Sequence, residues 1–425
     1  MPQLTLSTLQ SALAGAAALR SRTTLQPAGG PGTKVFPPTY AGSVYATEKR
    51  RLPGRAEPVP CVLLDSVQSQ ANRIEDALQQ AIDAGALRIP VIEVDFGPFW
   101  PGEGKPEALR LFDPVGRISS LQAPHRIADA ILRDSLLDGA PFRASEIGRR
   151  IGAANIANAT PLYEHCPTAL LLGMWDSTGP KGGLGAKFER ALVSEIVGID
   201  AVLGVKSSSR IDPLAIQVKS AVLYAAANSS GLHYTDDPAE AAKEKGKPKL
   251  LGKDGKPSEA NHGNVTPSLS ELGKDGEYLA GGVTISSAEQ SIVISLAALR
   301  RLRFPIDGAF DPAVDAAGRT VLAALGLCGA ALAAEQGLDL RSRCLLWPEE
   351  PAQWELLARP GTTPDRFTVE SAQAIDLLGA AVAAAAKLGL RWREEPVVLT
   401  PSEQLVRLVA RSQKLAATSG GEEVS

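Results

Sequence analysis

The apolar positions of this chain change period several times, and each period predicts an element. In "DSVQSQANRIEDALQQAI" (65–82), Val67, Ala71, Ile74, Leu78 and Ala81 recur every three or four residues and line one face of a helix, with Asp65 or Ser66 able to cap its start. The opposite face carries Gln68, Asn72 and Gln79, with Arg73 beside it. Residues 7–20 and "APHRIADAILRDSLL" (123–137) predict two more helices, the second with Pro124 in its first turn. "PVIEVDF" (90–96) predicts a strand, and "CPTALLLGMW" (166–175) is a continuous apolar run that fits a buried strand or a short helix. "ERALVSEIVGIDAVLGV" (189–205), rich in β-branched residues, predicts a strand, as does "AIQVKSAVLYAA" (215–226); "SSSRIDPL" (207–214) between them reads as a polar loop. Towards the C-terminus, helices near 312–336 and 369–388 flank a strand at "RSRCLLW" (341–347). A strand at "EEPVVLT" (394–400) leads into a final helix from about Pro401, and the tail is expected to fray.

Two segments break these patterns. Residues 25–60 are rich in Gly and Pro but hold Phe36, Tyr40 and Tyr45, which argues for an irregular functional segment with room for a hairpin rather than for disorder. Residues 235–280 are Lys-, Gly- and Pro-rich with few large apolar groups and read as a flexible polar insertion. The chain therefore divides into an N-terminal part (1–234), the insertion (235–280) and a remainder with a helix-rich C-terminal region (281–425). Strands and helices mixed without regular βαβα alternation predict the α+β class.

Composition narrows the partners. A chain of 425 residues that is 44% apolar and 21% charged can bury a sizeable core. With a net charge of −3, no bulk basic field announces nucleic acid, so any such contact must come from local patches. Cys61, Cys166, Cys328 and Cys344 form no CxxC pair; they read as reduced, buried thiols of a cytoplasmic protein. The N-terminus lacks a basic signal-peptide region, and the Ala-rich segment near 372–390 is broken by Asp376 and Lys387, so no membrane partner is expected.

The candidate chemistry centres on "GMWDSTGPKGGLGAKFER" (173–190). Its five glycines and two lysines suit an anion, because glycine backbone approaches closely and exposes successive N–H groups. It matches neither nucleotide fingerprint. Gly179 to Gly185 is one residue too long for a Walker A loop and Ala186 follows, while Gly183-Leu184-Gly185 lacks the third glycine of a dinucleotide loop. Lys181, Gly182, Gly183, Lys187 and Arg190 remain as candidates for a nucleic-acid backbone, the bland alternative being a turn needed only for its shape. His125 and Arg126 are read at a helix N-terminus, where anions bind. Ser208 and Arg210 in "SSSRIDP" offer phosphate contacts. Asn261, His262 and Asn264 in "NHGNVTPS" can hydrogen-bond bases or sugars, or simply form a turn. No HExxH or i, i+4 histidine pair points to a metal, and no G-x-S-x-G elbow points to a nucleophile. Asp176, Asp200 and Asp212 are the carboxylates that a metal-dependent nuclease would need to bring together.

Seven stretches taken in order resemble one family: "LQPAGGPGTKVFPPTY", "CVLLDSVQSQANRIEDAL", "PHRIADAIL", "GMWDSTGPKGGLGAKFERALVSEIVGIDA", "SSSRIDPL", "NHGNVTPS" and "GGVTI…SLAALRRLRFP". They are similar to the CRISPR-associated backbone subunit of subtype I-U, or I-G, the Csb-one family of Cas-seven-type RAMP proteins, over most of residues 20–305. The resemblance implies an RNA-recognition-type (ferredoxin-like) core elaborated by insertions. It implies several copies along one CRISPR RNA, beside a Cas-five/Cas-six-type subunit and a large subunit, presenting the guide to target DNA through a heteroduplex. No catalytic residue, metal or cofactor is expected. The competing readings are a CRISPR-transcript-processing endoribonuclease and a phosphate- or nucleotide-binding enzyme. On the family-like stretches, the expected RNA contacts are Lys34, Tyr40, Gln68, Asn72, Arg73, His125, Arg126, Lys181, Gly182, Gly183, Lys187, Arg190, Ser208, Arg210, Asn261, His262 and Asn264, with Tyr40 available to stack on bases.

Overall fold

Thr5 accepts the amide of Thr8 and opens helix α1 (Leu6–Gly15); Ala16 then turns to extended backbone and the chain enters strand β1 (Ala18–Pro27). The helix expected over 7–20 thus ends early. Leu19, Ser21 and Leu25 alternate inward along β1, a period of two that the alanines before it obscure. The computed structural model describes residues 3–42, 44–179, 185–217, 219–227, 232–269 and 281–418. The chain groups into two units. The first comprises Met1–Pro31, Leu63–Ile199 and Ser286–Ser425; the second comprises Gly32–Val62 and Asp200–Ile285. The architecture is α+β, as the sequence predicts.

In the first unit the chain runs on through strand β2 (Val59–Asp65, which starts in the second unit), helix α2 (Val67–Asp83), strands β3 (Leu192–Ile199) and β4 (Ser287–Ser295), helix α3 (Pro312–Glu335), strands β5 (Leu345–Pro348) and β6 (Trp354–Leu357), and helices α4 (Ser371–Ala386) and α5 (Glu403–Thr418). With β2 and the intervening elements of the second sheet and second unit set aside, β1, α2, β3, β4, α3 and β5 follow one another as β-α-β-β-α-β. In space the sheet reads β5-β1-β4-β3, so the fourth strand of the run lies beside the first, then the third, then the second, with every one of these pairs antiparallel. β2 extends the sheet beyond β3, and β6 pairs with the first half of β1.

Register explains which face is buried. Leu19 stands opposite Ile294, and Ile294 opposite Leu192; all three are almost wholly buried, each contributing about 1.5–3 kcal/mol on removal from water. α2 and α3 pack together over this side, closely enough at Gly329 that a Cβ there would lie 2.7 Å from Ile74 Cγ2. α3 is long and apolar enough to cross a bilayer, but its most apolar stretch is 78% buried against the helices around it, as in a core helix. A second sheet orders Arg117–Ser119, Ile92–Asp95, Val397–Pro401, Ser135–Leu137 and Ala140–Pro141, and accounts for the strands expected at 90–96 and 394–400.

The helix expected over 123–137 is not formed. A three-residue 3-10 turn (Arg126–Ala128) is followed by Asp129, which accepts the amides of His125 and Ile131 and opens a four-residue helix (Ala130–Arg133); a strand begins at Ser135. The run 166–175 resolves as a buried helix (Thr168–Leu172) and a short strand (Met174–Trp175).

The second unit is built from hairpins around a small core that includes Val35, Tyr45, Leu223, Leu251 and Val283. Thr39–Tyr40 pairs with Val44–Tyr45, and Thr47–Arg50 pairs with Val59–Val62, so the expected irregular segment does hold a hairpin. Gly281 lies so close to its neighbour that a Cβ would fall 1.9 Å from Gly204 O. The stretch 207–214 is not wholly loop: Ser207–Arg210 is a strand, paired with Val265–Leu269. Among the described residues, the strand expected over 215–226 shrinks to Tyr224–Ala225. Residues 235–269 carry short hairpins and a 3-10 turn, while residues 270–280 lie outside the described residues.

Two buried ion networks hold the first unit. Asp65, fully buried, accepts from Gln70 Nε2 (2.6 Å), Arg73 Nε (2.9 Å) and Arg341 Nη2 (3.2 Å). Gln70 Oε1 in turn accepts from Ser194 and Gln290 on β3 and β4. On the other side of α2, Glu75 meets the fork of Arg126 at 2.6 and 2.7 Å, both side chains under 10% exposed. Burial pushes the Glu75 carboxyl up to about 7, with Arg126 pulling it only part of the way back.

Removing one partner of such a pair strands a buried charge, so Glu75→Ala should lower stability by about 3–5 kcal/mol in a urea titration. The folded pKa of Glu75 lies above its ordinary 4.5, so the native state holds that proton more tightly. The stability this adds is complete below 4.5 and is lost as pH rises through 7. Relative to Glu75→Gln, the parent protein should therefore lose stability steadily from about pH 5 to about pH 8; a gain over that range would contradict the assignment.

Candidate nucleic-acid interface

The two flanks of the glycine-rich stretch pair with each other in the first unit, on either side of residues 180–184, which lie outside the described residues. Met174 pairs with Phe188 and Trp175 with Lys187, and Asp176 N donates to Ala186 O at 2.9 Å. Met174 and Phe188 point into the core, which turns Trp175 and Lys187 outward. Trp175 is 56% exposed, and the Lys187 ammonium sits 5.6 Å from its ring centroid, a cation–π arrangement. Arg190 is exposed just beyond. Arg143 braces the start of the turn, giving Nη2 to Asp176 Oδ1 (2.7 Å) and Nη1 to Thr178 O (2.6 Å). Lys181, Gly182 and Gly183, three of the expected contacts, lie outside the described residues.

The other first-unit candidates separate by what holds them. Gln68 and Asn72 are exposed along α2. Arg73 is turned toward the interior: besides Asp65, it donates to Leu340 O at 2.5 Å. Arg126, expected at the surface, is 7% exposed and engaged with Glu75 and Gly173 O. This corrects its reading as a phosphate contact, because its donors are used inside the fold. His125 is exposed, yet it precedes only a 3-10 turn, so the helix N-terminus expected to bind an anion there is missing.

In the second unit the structure brings together five candidates that are distant in sequence. Ser208 Oγ lies 3.2 Å from Ser268 Oγ across the Ser207–Arg210/Val265–Leu269 hairpin. Arg210 donates to Gly263 O (3.0 Å), His262 O (2.8 Å) and Asn261 Oδ1 (3.4 Å). His262 meets the Tyr234 hydroxyl at 3.1 Å, and Asn264 Oδ1 accepts from Asp212 N at 2.7 Å. Arg210 and Asn264 thus shape the turn, while Ser208, Asn261 and the exposed side of Asn264 face solvent. Lys34 donates to Val205 O, and Tyr40 is 45% exposed on its own hairpin.

The three aspartates are used separately. Asp176 binds Arg143, and Asp200 binds Arg55 at 2.7 Å. Asp212 accepts the amides of Leu214 and Gly263, which hold its carboxylate below the usual range. Among the described residues no group of three or more His, Cys, Asp and Glu side chains could hold a metal ion.

Sequence reasoning passed over Trp175 and Arg143. A tryptophan next to an aspartate at the mouth of a glycine loop was the available signal for the first; Arg143 carries none, because it reaches the loop only through the fold. It also passed over Ile211, Leu214 and Leu269, large apolar side chains 88%, 71% and 60% exposed around the second-unit hairpin.

Residues 19–203 match the model of a family described as CRISPR-associated protein GSU0053. That stretch is similar to this family of CRISPR-associated proteins. The matched stretch holds α2, β3 and the Trp175–Lys187 hairpin; the Ser207–Arg210/Val265–Leu269 hairpin lies beyond it. No curated protein matches the chain.

A lysine cannot reproduce the fork by which Arg210 holds three acceptors. Arg210→Lys should therefore loosen the 261–265 turn, seen as at least tenfold faster amide exchange at Gly263 and its neighbours, with exchange in α3 unchanged.

Proposed function

We propose that this chain is a non-catalytic, CRISPR RNA-binding backbone subunit of a type I-U/I-G effector complex in antiviral defence. Several copies line one guide RNA beside a Cas-five/Cas-six-type subunit and a large subunit, and the guide pairs with target DNA. The observation that carries the RNA reading is the exposed Trp175 stacked by Lys187 at the neck of a glycine-rich hairpin, inside the family-matched stretch. An aromatic face with an adjacent cation is what single-stranded nucleic acid requires, since every base has a π-face and every linkage a charge. Two further features favour it. The β-α-β-β-α-β order left when β2 is set aside, with strands fourth, first, third, second in space, supports an RNA-recognition-type, ferredoxin-like core. The second-unit hairpin, with Ser208 and Asn261 at its surface, offers polar contacts to sugar and phosphate. Sequence specificity then resides in base pairing, and the protein holds backbone and shape.

Purified full-length protein should carry RNA of uniform length, read from its absorbance ratio and a denaturing gel, and should leave a labelled repeat RNA intact. Trp175→Ala should weaken RNA binding by about 1–3 kcal/mol. Lys187→Ala should weaken it and reduce the slope of log affinity against log salt by about 0.7. Protein free of RNA, with affinity and slope unchanged in both variants, would exclude this face.

A further inference from the structure

Behind the Trp175–Lys187 hairpin, within the first unit, lies a cavity of about 330 Å³ to which the RNA-backbone reading gives no task. Its walls are apolar: Ile127, Phe142, Ile151, Met174 and Ala186, all buried. Its polar groups are few and convergent. Arg133, paired with Asp134, stands around it with Arg143 and Arg149, and Asp176 is the one carboxylate among the described lining residues. The Arg143 bond occupies Asp176 Oδ1, whereas among the described residues Oδ2 accepts no hydrogen bond. Arg149 gives one Nη1–H to Ala144 O and makes no other hydrogen bond among the described residues. The volume is near the lower end of small-ligand sites, roughly 300–1,000 Å³, and mostly apolar walls with a few placed polar groups are their usual composition.

An apolar cavity of this size holds a heterocyclic ring, a carboxylate oxygen suits an N–H on that ring's edge, and an arginine with spare donors suits the attached phosphate. We propose that this cavity is a nucleobase site: one heterocycle enters between the apolar walls, a donating edge meets Asp176 Oδ2, and the attached phosphate stays with Arg149, whose guanidinium keeps most of its donors. The base comes either from a free mononucleotide or from the strand the protein binds. The second source rests on the RNA-binding reading above; the first does not.

Two glycines of the lining helix, Glu146–Gly152, show how to fill the site without breaking it. A Cβ on Gly148 would fall 2.0 Å from Phe142 O, so that position cannot be enlarged. A Cβ on Gly152 meets nothing within 4 Å, and Ala153 beside it is exposed. Gly152→Leu and Ala153→Leu therefore place bulk at the cavity while leaving the fold in place, which thermal melting checks. In one arm, 5′-mononucleotides are titrated calorimetrically into full-length protein stripped of RNA. In the other, RNA carrying 2-aminopurine at successive positions is bound and its fluorescence read, with total RNA affinity measured alongside.

The expected result is at least a tenfold loss of mononucleotide affinity in either leucine variant, or loss of a position-specific 2-aminopurine signal while total RNA affinity stays within threefold. Mononucleotide binding or 2-aminopurine signals indifferent to both variants, or no mononucleotide binding and no position-specific signal at all, overturn the nucleobase site. If the parent protein binds no RNA, the RNA-binding reading falls and the mononucleotide arm alone decides the cavity.

Discussion

The first unit depends on one buried carboxylate. Asp65 ends β2 with no solvent to share its charge, and the fold answers it from three directions: Gln70 and Arg73 on α2, and Arg341 just before β5. Because Gln70 also accepts from Ser194 on β3 and Gln290 on β4, one network joins α2 to the end of β2, to β3 and β4, and to the residue just before β5. A buried ion group of this kind adds little net stability over an apolar replacement, but it penalises any register that leaves Asp65 unpaired. That constraint sets the helix on the sheet, and with it the connections that emerge from the sheet's edges, including the glycine-rich hairpin before β3.

A division of labour among the basic residues follows. Arg73, Arg126 and Arg143 have their donors inside the fold, where they stabilise α2 and the neck of the hairpin. Lys187 and Arg190 remain at the surface, Lys187 over the exposed Trp175 ring. A chain with a net charge of −3 needs few free cations to hold a polyanion if they sit beside an aromatic platform. In the second unit the same economy applies. Arg210 and Asp212 organise a turn whose outer face carries Asn261 and Asn264.

Much of this was legible in the chain. The apolar period over 65–82 located α2 almost to the residue, and the runs at 312–336, 369–388 and 394–400 located α3, α4 and a strand of the second sheet. The order of "GMWDSTGPKGGLGAKFER" excluded both nucleotide fingerprints. What stayed hidden was set by partners distant in sequence. β1 lies across Arg20, Arg22 and paired threonines, and it becomes a strand because β4 and β6 flank it. Residues 123–137 had a helical period that Asp129 interrupts by capping. Arg126 looked like a surface residue because nothing local marks Glu75, fifty-one positions earlier, as its partner. Ser207–Arg210 is a strand only through a mate almost sixty residues on. Local pattern finds elements that carry their own period and misses those that need a distant partner.

The proposed guide-RNA contacts are the Trp175–Lys187 face of the first unit and, separately, the Ser207–Arg210/Val265–Leu269 hairpin of the second. Photocrosslinking of the assembled ribonucleoprotein, followed by mass spectrometry of the nucleotide-bearing peptides, tests them most directly. The account predicts crosslinks concentrated in the peptides that contain Trp175 and Lys187 and in those spanning Ser207–Arg210 and Asn261–Leu269. Crosslinks confined to other surfaces, such as α5 or the Ile92–Asp95 sheet, would contradict it.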